Sequence, residues 1–257
     1  MQFTSQQKKP TMNRYRAKYR WNPQGKELKP KGIVIHAMME EIMNKRAWDF
    51  LYEDQGLSVH ACIAEDTHLF EAGFAHKIGE IDRNYMENNG LMFDDLLPEY
   101  KYLGKGNPVL IECQEDDKVA YHAGKSQHGS LTNLNYHYLG VELLVNKQPY
   151  MSTLHSKNIT DPFAQFKFII NNIDWVQARV FDVLVDWCHE KMVKYDIPIE
   201  NVVQHSDVSG DNVRGKGKGK FDAGKAFNQY IFYKRLQEKL TGEIPTDSWI
   251  KKLIENI

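Results

Sequence analysis

Val202-Val203-Gln204-His205-Ser206-Asp207-Val208-Ser209-Gly210, followed by a glycine- and lysine-rich loop ending in Lys220-Phe221-Asp222-Ala223-Gly224, is the stretch around which the chain is organised. A short β-branched run delivers a histidine to a strand end, and the loop returns a carboxylate that faces the same point. Imidazole and carboxylate both suit Zn²⁺, and a catalytic zinc takes three protein ligands and keeps its fourth position for water. His205 and Asp222 supply two. The best third ligand lies far upstream, in Lys31-Gly32-Ile33-Val34-Ile35-His36, where a buried-type strand again ends in a histidine. Two strands that each finish in His, side by side in one sheet, present both imidazoles at one edge.

Further segments complete a pattern. Ser58-Val59-His60-Ala61-Cys62-Ile63 reads as a strand, and on its residues alone His60, among apolar neighbours, is a hydrogen-bonded structural histidine. Tyr121-His122-Ala123-Gly124 is, on spacing alone, a histidine before a turn. Leu139 to Val145 is apolar at nearly every residue except Glu142, which makes it a central strand carrying one carboxylate. Such a carboxylate must be paired, solvated at a cleft, or raised in pKa.

In this order the segments resemble the zinc-dependent N-acetylmuramoyl-L-alanine amidases related to peptidoglycan recognition proteins, over roughly residues 31 to 228. The resemblance implies an α/β fold: a mixed, mostly parallel central sheet flanked by helices, with zinc in a surface groove. It implies His36, His205 and Asp222 as ligands of Zn²⁺ and Glu142 as the catalytic acid-base. Lys220, two residues before Asp222, would point at the same cleft and stabilise an oxyanion. His122, Ala123 and Gly124 would form part of the wall that holds the muropeptide, and His60 joins them as a substrate-binding candidate beside the active site. The implied reaction is hydrolysis of the amide between the lactyl group of N-acetylmuramic acid and L-alanine of the stem peptide. Two departures stand out: a long insertion at 73 to 108, and Ala223-Gly224-Lys225 where many members carry prolines.

The 257 residues suffice for one large domain with appendages, and a 42% hydrophobic content excludes disorder of the whole chain. We expect a basic N-terminal arm over 1–30, a catalytic domain over 31–230 and a C-terminal helical extension over 231–257. Met1 to Lys31 carries nine lysines and arginines against Glu27 alone, a local charge of +8 in a chain whose net charge is −1. The arm is a solvated tail or a means of attraction to an anionic surface, such as nucleic acid or acidic wall polymer. Cys62, Cys113 and Cys188 are odd in number and widely spaced, so neither a disulfide framework nor a metal clip is expected. No apolar signal region follows the N-terminal charges, and no run of eighteen apolar residues occurs.

Along the chain, Met38 to Leu51 has helical spacing, and Ser58 to Ile63 with His68 to Glu71 makes a hairpin. Pro108 to Glu112 and Lys118 to Tyr121 add to the sheet, and Phe163 to Tyr195 is the clearest helical region. Its stripe contains Val176, Val180, Val183, Leu184, Trp187, Cys188 and Met192, and Pro198 stops it. A helical run from Phe227 to Leu240 ends at Gly242, and Thr246 to Ile257 adds a short amphipathic helix.

Gly210 to Lys216 matches P-loop spacing, but Gly217 stands where that motif needs a hydroxyl for Mg²⁺, which argues against nucleotide binding. A recognition module without zinc is disfavoured by the complete ligand set. A nucleic-acid-binding protein is disfavoured by the lack of a zinc-finger or helix-turn-helix signature. The expectation is a monomeric enzyme that binds peptidoglycan, with no specific nucleic acid and no membrane span. With no export signal in view, the resemblance suggests a phage lysis enzyme, held in the host cytoplasm and reaching the wall once the membrane is permeabilised. A cytoplasmic recycling amidase is the alternative.

Overall fold

The computed structural model describes the backbone of residues 13–16 and, in full, residues 26–39, 58–65 and 108–257. The helix expected after Met38, the hairpin through Glu71 and the insertion at 73 to 108 lie outside the described residues, except for their termini.

Six strands form one sheet: β1 (Asn13–Arg16), β2 (Gly32–Met38), β3 (Ala61–Glu65), β4 (Pro108–Glu112), β7 (Tyr138–Leu144) and β8 (Val202–Gln204), in the order β1-β4-β3-β7-β2-β8. Two short strands, β5 (Gln127–His128) and β6 (Leu131–Thr132), pair separately. Only β3 and β4 run antiparallel; every other neighbouring pair is parallel, so the sheet is mixed and mostly parallel as expected. All seven residues of β2 and all seven of β7 are buried. A strand covered on both faces has no solvent side to fill with polar residues, which explains the unbroken apolar runs. Against that background His36 and Glu142 are conspicuous, and the register sets them opposite each other.

Gly32 opens β2 because nothing larger fits: a Cβ there would lie 2.3 Å from the Tyr138 ring and 2.6 Å from the Asn201 carbonyl oxygen. Residues 13–16, expected in a basic arm, instead extend the sheet as β1, parallel to β4. Farther along, Leu28 is buried, and Glu27 makes a single bridge with Lys118 in place of the strand expected from Lys118 to Tyr121.

Seven α-helices are described: α1 (Met151–Ser156), α2 (Pro162–Asn172), α3 (Ala178–Tyr195), α4 (His205–Ser209), α5 (Asp211–Arg214), α6 (Gln229–Thr241) and α7 (Asp247–Asn256). The region expected as one helix from Phe163 to Tyr195 is thus two. The Asp161 side chain caps the first by accepting from Ala164 N, and Ile173 ends it in an extended conformation. In α3 the expected stripe Val180, Val183, Leu184, Trp187, Cys188 and Met192 is buried, while Val176 lies before the helix and is partly buried. The α3 helix packs on β3, β4 and α6, closing the main core.

Candidate metal centre

The site is built at the C-terminal ends of β2 and β8. His36 sits near the end of β2, and His205 opens α4 immediately after β8, which runs parallel to β2 at its side. The Asp207 carboxylate holds this turn by accepting from Gln204 N at 2.8 Å. Asp222 is returned by the glycine-lysine loop, whose shape is set from inside: the Asp211 carboxylate accepts from Gly217 N at 3.0 Å and Gly219 N at 2.8 Å. The loop that mimics a phosphate-binding spacing therefore already wraps a carboxylate of its own.

His36 Nδ1 lies 3.0 Å from His205 Nδ1, His205 Nδ1 lies 3.0 Å from Asp222 Oδ2, and His36 Nδ1 lies 3.5 Å from that oxygen. Ligands at zinc bond lengths around a tetrahedral ion stand about 3.3 Å apart, so these atoms already have the spacing of one tetrahedral face. All three residues are buried.

The hydrogens fit the same reading. His205 lies between two acceptors, with Nδ1 3.0 Å from Asp222 Oδ2 and Nε2 3.3 Å from the Ala123 carbonyl oxygen, so a metal held at Nδ1 would leave the ring hydrogen on Nε2, facing that carbonyl. A carboxylate and imidazole lone pairs packed this closely are satisfied by a cation among them. The donor set of two nitrogens and one oxygen suits zinc.

Charges around the site are sharply divided. Burial, and then the nearby Asp222 carboxylate, hold Glu142 well above the usual carboxyl range, with Lys220 pulling the other way. Asp222 goes in the opposite direction: burial alone would raise it, but His205 and His36 hold it well below its ordinary value. Burial, reinforced by His205, lowers His36 to about 4.

These groups open into a cavity of about 690 Å³ that Lys220, Tyr121, Phe163 and Phe221 also line. Of the four residues expected to hold the muropeptide, His122 alone contributes to the lining of this cavity. Its ring nitrogens are engaged, Nδ1 at 2.9 Å from His36 Nε2 and Nε2 at 3.0 Å from the Tyr138 carbonyl oxygen. His60 is buried and accepts from Gly140 N at 2.9 Å while donating to the Lys118 carbonyl oxygen at 2.9 Å, the structural pattern its apolar neighbours suggest. Ala123 is buried, and Gly124 lies under the Arg214 guanidinium.

Sequence reasoning did not single out Asn135, whose Oδ1 accepts from both His122 N at 2.9 Å and Ala123 N at 2.7 Å. Nor did it find the aromatic wall, where Phe163, 51% exposed, meets Phe221 edge to face at 5.4 Å. An exposed phenylalanine at the start of an otherwise amphipathic helix was the available signal.

An α/β sheet whose parallel strands end in histidines, with a carboxylate returned by a loop, defines a protein with a candidate metal site in a surface groove. A family model described as N-acetylmuramoyl-L-alanine amidase matches residues 76–218, more than half of the chain, and the chain belongs to that family. Peptidoglycan amidase activity follows from that membership.

Comparison with curated proteins finds no match. Among solved structures the chain is similar to AmpDH3 from Pseudomonas aeruginosa in complex with anhydromuramic pentapeptide, at 17% identity over 92% of this chain and 77% of that one, TM-score 0.47. It is similar to the amidase AmiD from E. coli, in complex with the substrate anhydro-N-acetylmuramic acid-L-Ala-D-gamma-Glu-L-Lys, at 17% identity over 84% of this chain and 61% of that one, TM-score 0.45. The amidase LysC from Clostridium intestinale URNW is similar at 13% identity over 88% of this chain and 97% of that one, TM-score 0.44. The family match carries the assignment, and these distant likenesses add no weight to it.

Proposed function

We propose that the protein hydrolyses the amide between the lactyl group of N-acetylmuramic acid and L-alanine, with zinc held by His36, His205 and Asp222. The observation that supports this most is the facing of His36 Nδ1, His205 Nδ1 and Asp222 Oδ2 at 3.0 to 3.5 Å in a buried cluster. The ion, when bound, supplies Lewis acidity to the amide carbonyl and acidifies a water. Glu142 takes the proton of the attacking water and returns it to the leaving amine, a shuttle that suits a carboxyl whose proton affinity is raised. Lys220 lines the same cavity and stabilises charge developing on the carbonyl oxygen.

The same reading extends to cell lysis. A local charge of +8 over Met1 to Lys31 favours adhesion to anionic envelope polymers and offers no evident benefit to an enzyme of soluble muropeptides. The test is mass spectrometry after digestion of intact sacculi, with zinc content measured on the same preparation. Intact glycan strands with newly freed amino termini on L-alanine, and about one zinc per chain, are expected. Action on soluble anhydro-muropeptides alone would make recycling the role. Unchanged metal content in both His36→Ala and His205→Ala would remove the metal assignment.

A further inference from the structure

We propose that His122 is a positioning residue for His36, setting the tautomer of that imidazole so that its Nδ1 lone pair faces His205 and Asp222. The proposal rests on the reading of His36, His205 and Asp222 as a metal site, and it gives His122 a task other than holding substrate.

From the Tyr138 carbonyl through His122 to His36 the chain of hydrogen bonds has only one direction. The Tyr138 carbonyl oxygen accepts, so His122 Nε2, at 3.0 Å, carries the ring hydrogen and His122 Nδ1 is left as an acceptor. His36 Nε2, 2.9 Å from that Nδ1, must then be the donor, which leaves the His36 Nδ1 lone pair aimed at His205 and Asp222. The segment that carries His122 is pinned by Asn135 Oδ1, which accepts from the backbone N–H groups of His122 and Ala123.

The fit behind His122 is tight. A Cβ on Gly140 would lie 2.5 Å from the His122 ring, so the strand that carries Glu142 has a glycine where this imidazole must seat. Both rings are buried, and no bulk water competes for their nitrogens. The side chain at 122 must accept at one end and donate at the other. A neutral imidazole does this, glutamine does it with its carbonyl and amide ends, and phenylalanine does neither. A ligand imidazole held by such a partner loses about 10- to 100-fold in metal affinity when the partner is removed.

The experiment uses the full-length protein, freed of metal and labelled with ¹⁵N-histidine, and two readouts. Long-range ¹H–¹⁵N spectra assign tautomers, and competition with a chromophoric chelator gives zinc affinity. In the unsubstituted protein His36 and His122 should both carry hydrogen on Nε2. His122→Phe should release His36 from that tautomer and weaken zinc binding by roughly 10- to 100-fold, with His122→Gln restoring most of the loss. His36 with its hydrogen on Nδ1 in the unsubstituted protein would overturn the proposal without any variant. Unaltered tautomer and affinity in His122→Phe would overturn it as well. If the unsubstituted protein shows these two tautomers but binds no zinc, the positioning of His36 by His122 stands and the metal reading fails.

Discussion

Glu142 and Asp222 are both buried carboxyl groups, yet their surroundings drive their proton affinities apart, one up and one down. Such a split separates an acid-base group from a ligand that must stay ionised. Glu142→Gln keeps the shape of the side chain but cannot shuttle a proton. Turnover should fall by roughly two to four orders of magnitude while zinc content and the circular dichroism spectrum stay as they are; near-normal turnover would take Glu142 out of the mechanism. Lys220→Ala should lower kcat more than it raises KM, because its charge is assigned to the transition state. Steady-state kinetics on a soluble muropeptide decide this, and a pure KM effect would make Lys220 a substrate-binding residue. At this scale the sequence is legible in which side chains meet: His36, His205, Asp222 and Glu142, singled out by residue type, all line one cavity. The acceptors on Tyr138 and Ala123 are backbone carbonyls, which every residue has, so nothing in the letters marks them out.

Helix α3 shows how an element is fastened. Lys191 is only 3% exposed, and its ammonium group bonds Asp116 at 2.9 Å and Glu190 at 3.1 Å, while Lys194 and the Tyr195 hydroxyl reach the same Asp116 oxygen at 3.0 and 3.1 Å. Asp116 follows β4, so this cluster ties the C-terminal half of the helix to the sheet. Asp116→Ala would leave the buried Lys191 ammonium with Glu190 as its remaining hydrogen-bond partner among the described residues and should cost about 1–3 kcal/mol in urea denaturation, against near zero if Lys191 finds solvent. Burial alone would raise the Asp116 pKa, but Lys191 and Lys194 prevail and lower it. Its stabilising share is therefore present above the unfolded value and lost as pH falls through the depressed folded value. The apolar stripe of α3 was legible from its spacing. The break before it was not: Ile173 to Gln177 contains neither proline nor glycine, and tertiary packing of Trp175 into the core ends α2 instead.

Over the whole molecule, acid should be the weak side. His36, His60 and His122 are buried with pKa values lowered first of all by desolvation, His36 and His60 to about 4. Protonating His60 would also set an N–H against the Gly140 N–H that now donates to Nδ1. A lowered folded pKa means that the unfolded chain binds protons first. Stability is therefore complete above pH 6.5 and declines as pH falls from there towards 4, where a single such histidine accounts for about 3 kcal/mol. Thermal denaturation of metal-free protein across that range should show the decline, and His60→Gln, which can keep both hydrogen bonds, should flatten it. An identical slope in the variant would place the titrating groups elsewhere. No helix among the described residues is long and apolar enough to cross a membrane. The sheet class was legible from the apolar runs at Ile33 and Leu139. The edge strand at residues 13–16 was not, because Asn-Arg-Tyr-Arg carries no alternation that distinguishes it from the charged chain around it.

The placement of β2 between β7 and β8 also has a consequence in time. His36 meets His205 across 169 residues of sequence, and Asp222 comes later still. A chain emerging from the ribosome displays its first imidazole long before the other two donors exist, and contacts so distant in sequence close late in folding. Under the proposed mechanism a chain stopped short of Asp222 has no third donor, so an interrupted round of synthesis leaves behind fragments unable to cut, and ribosome-stalled chains arrested before Asp222 should be inert.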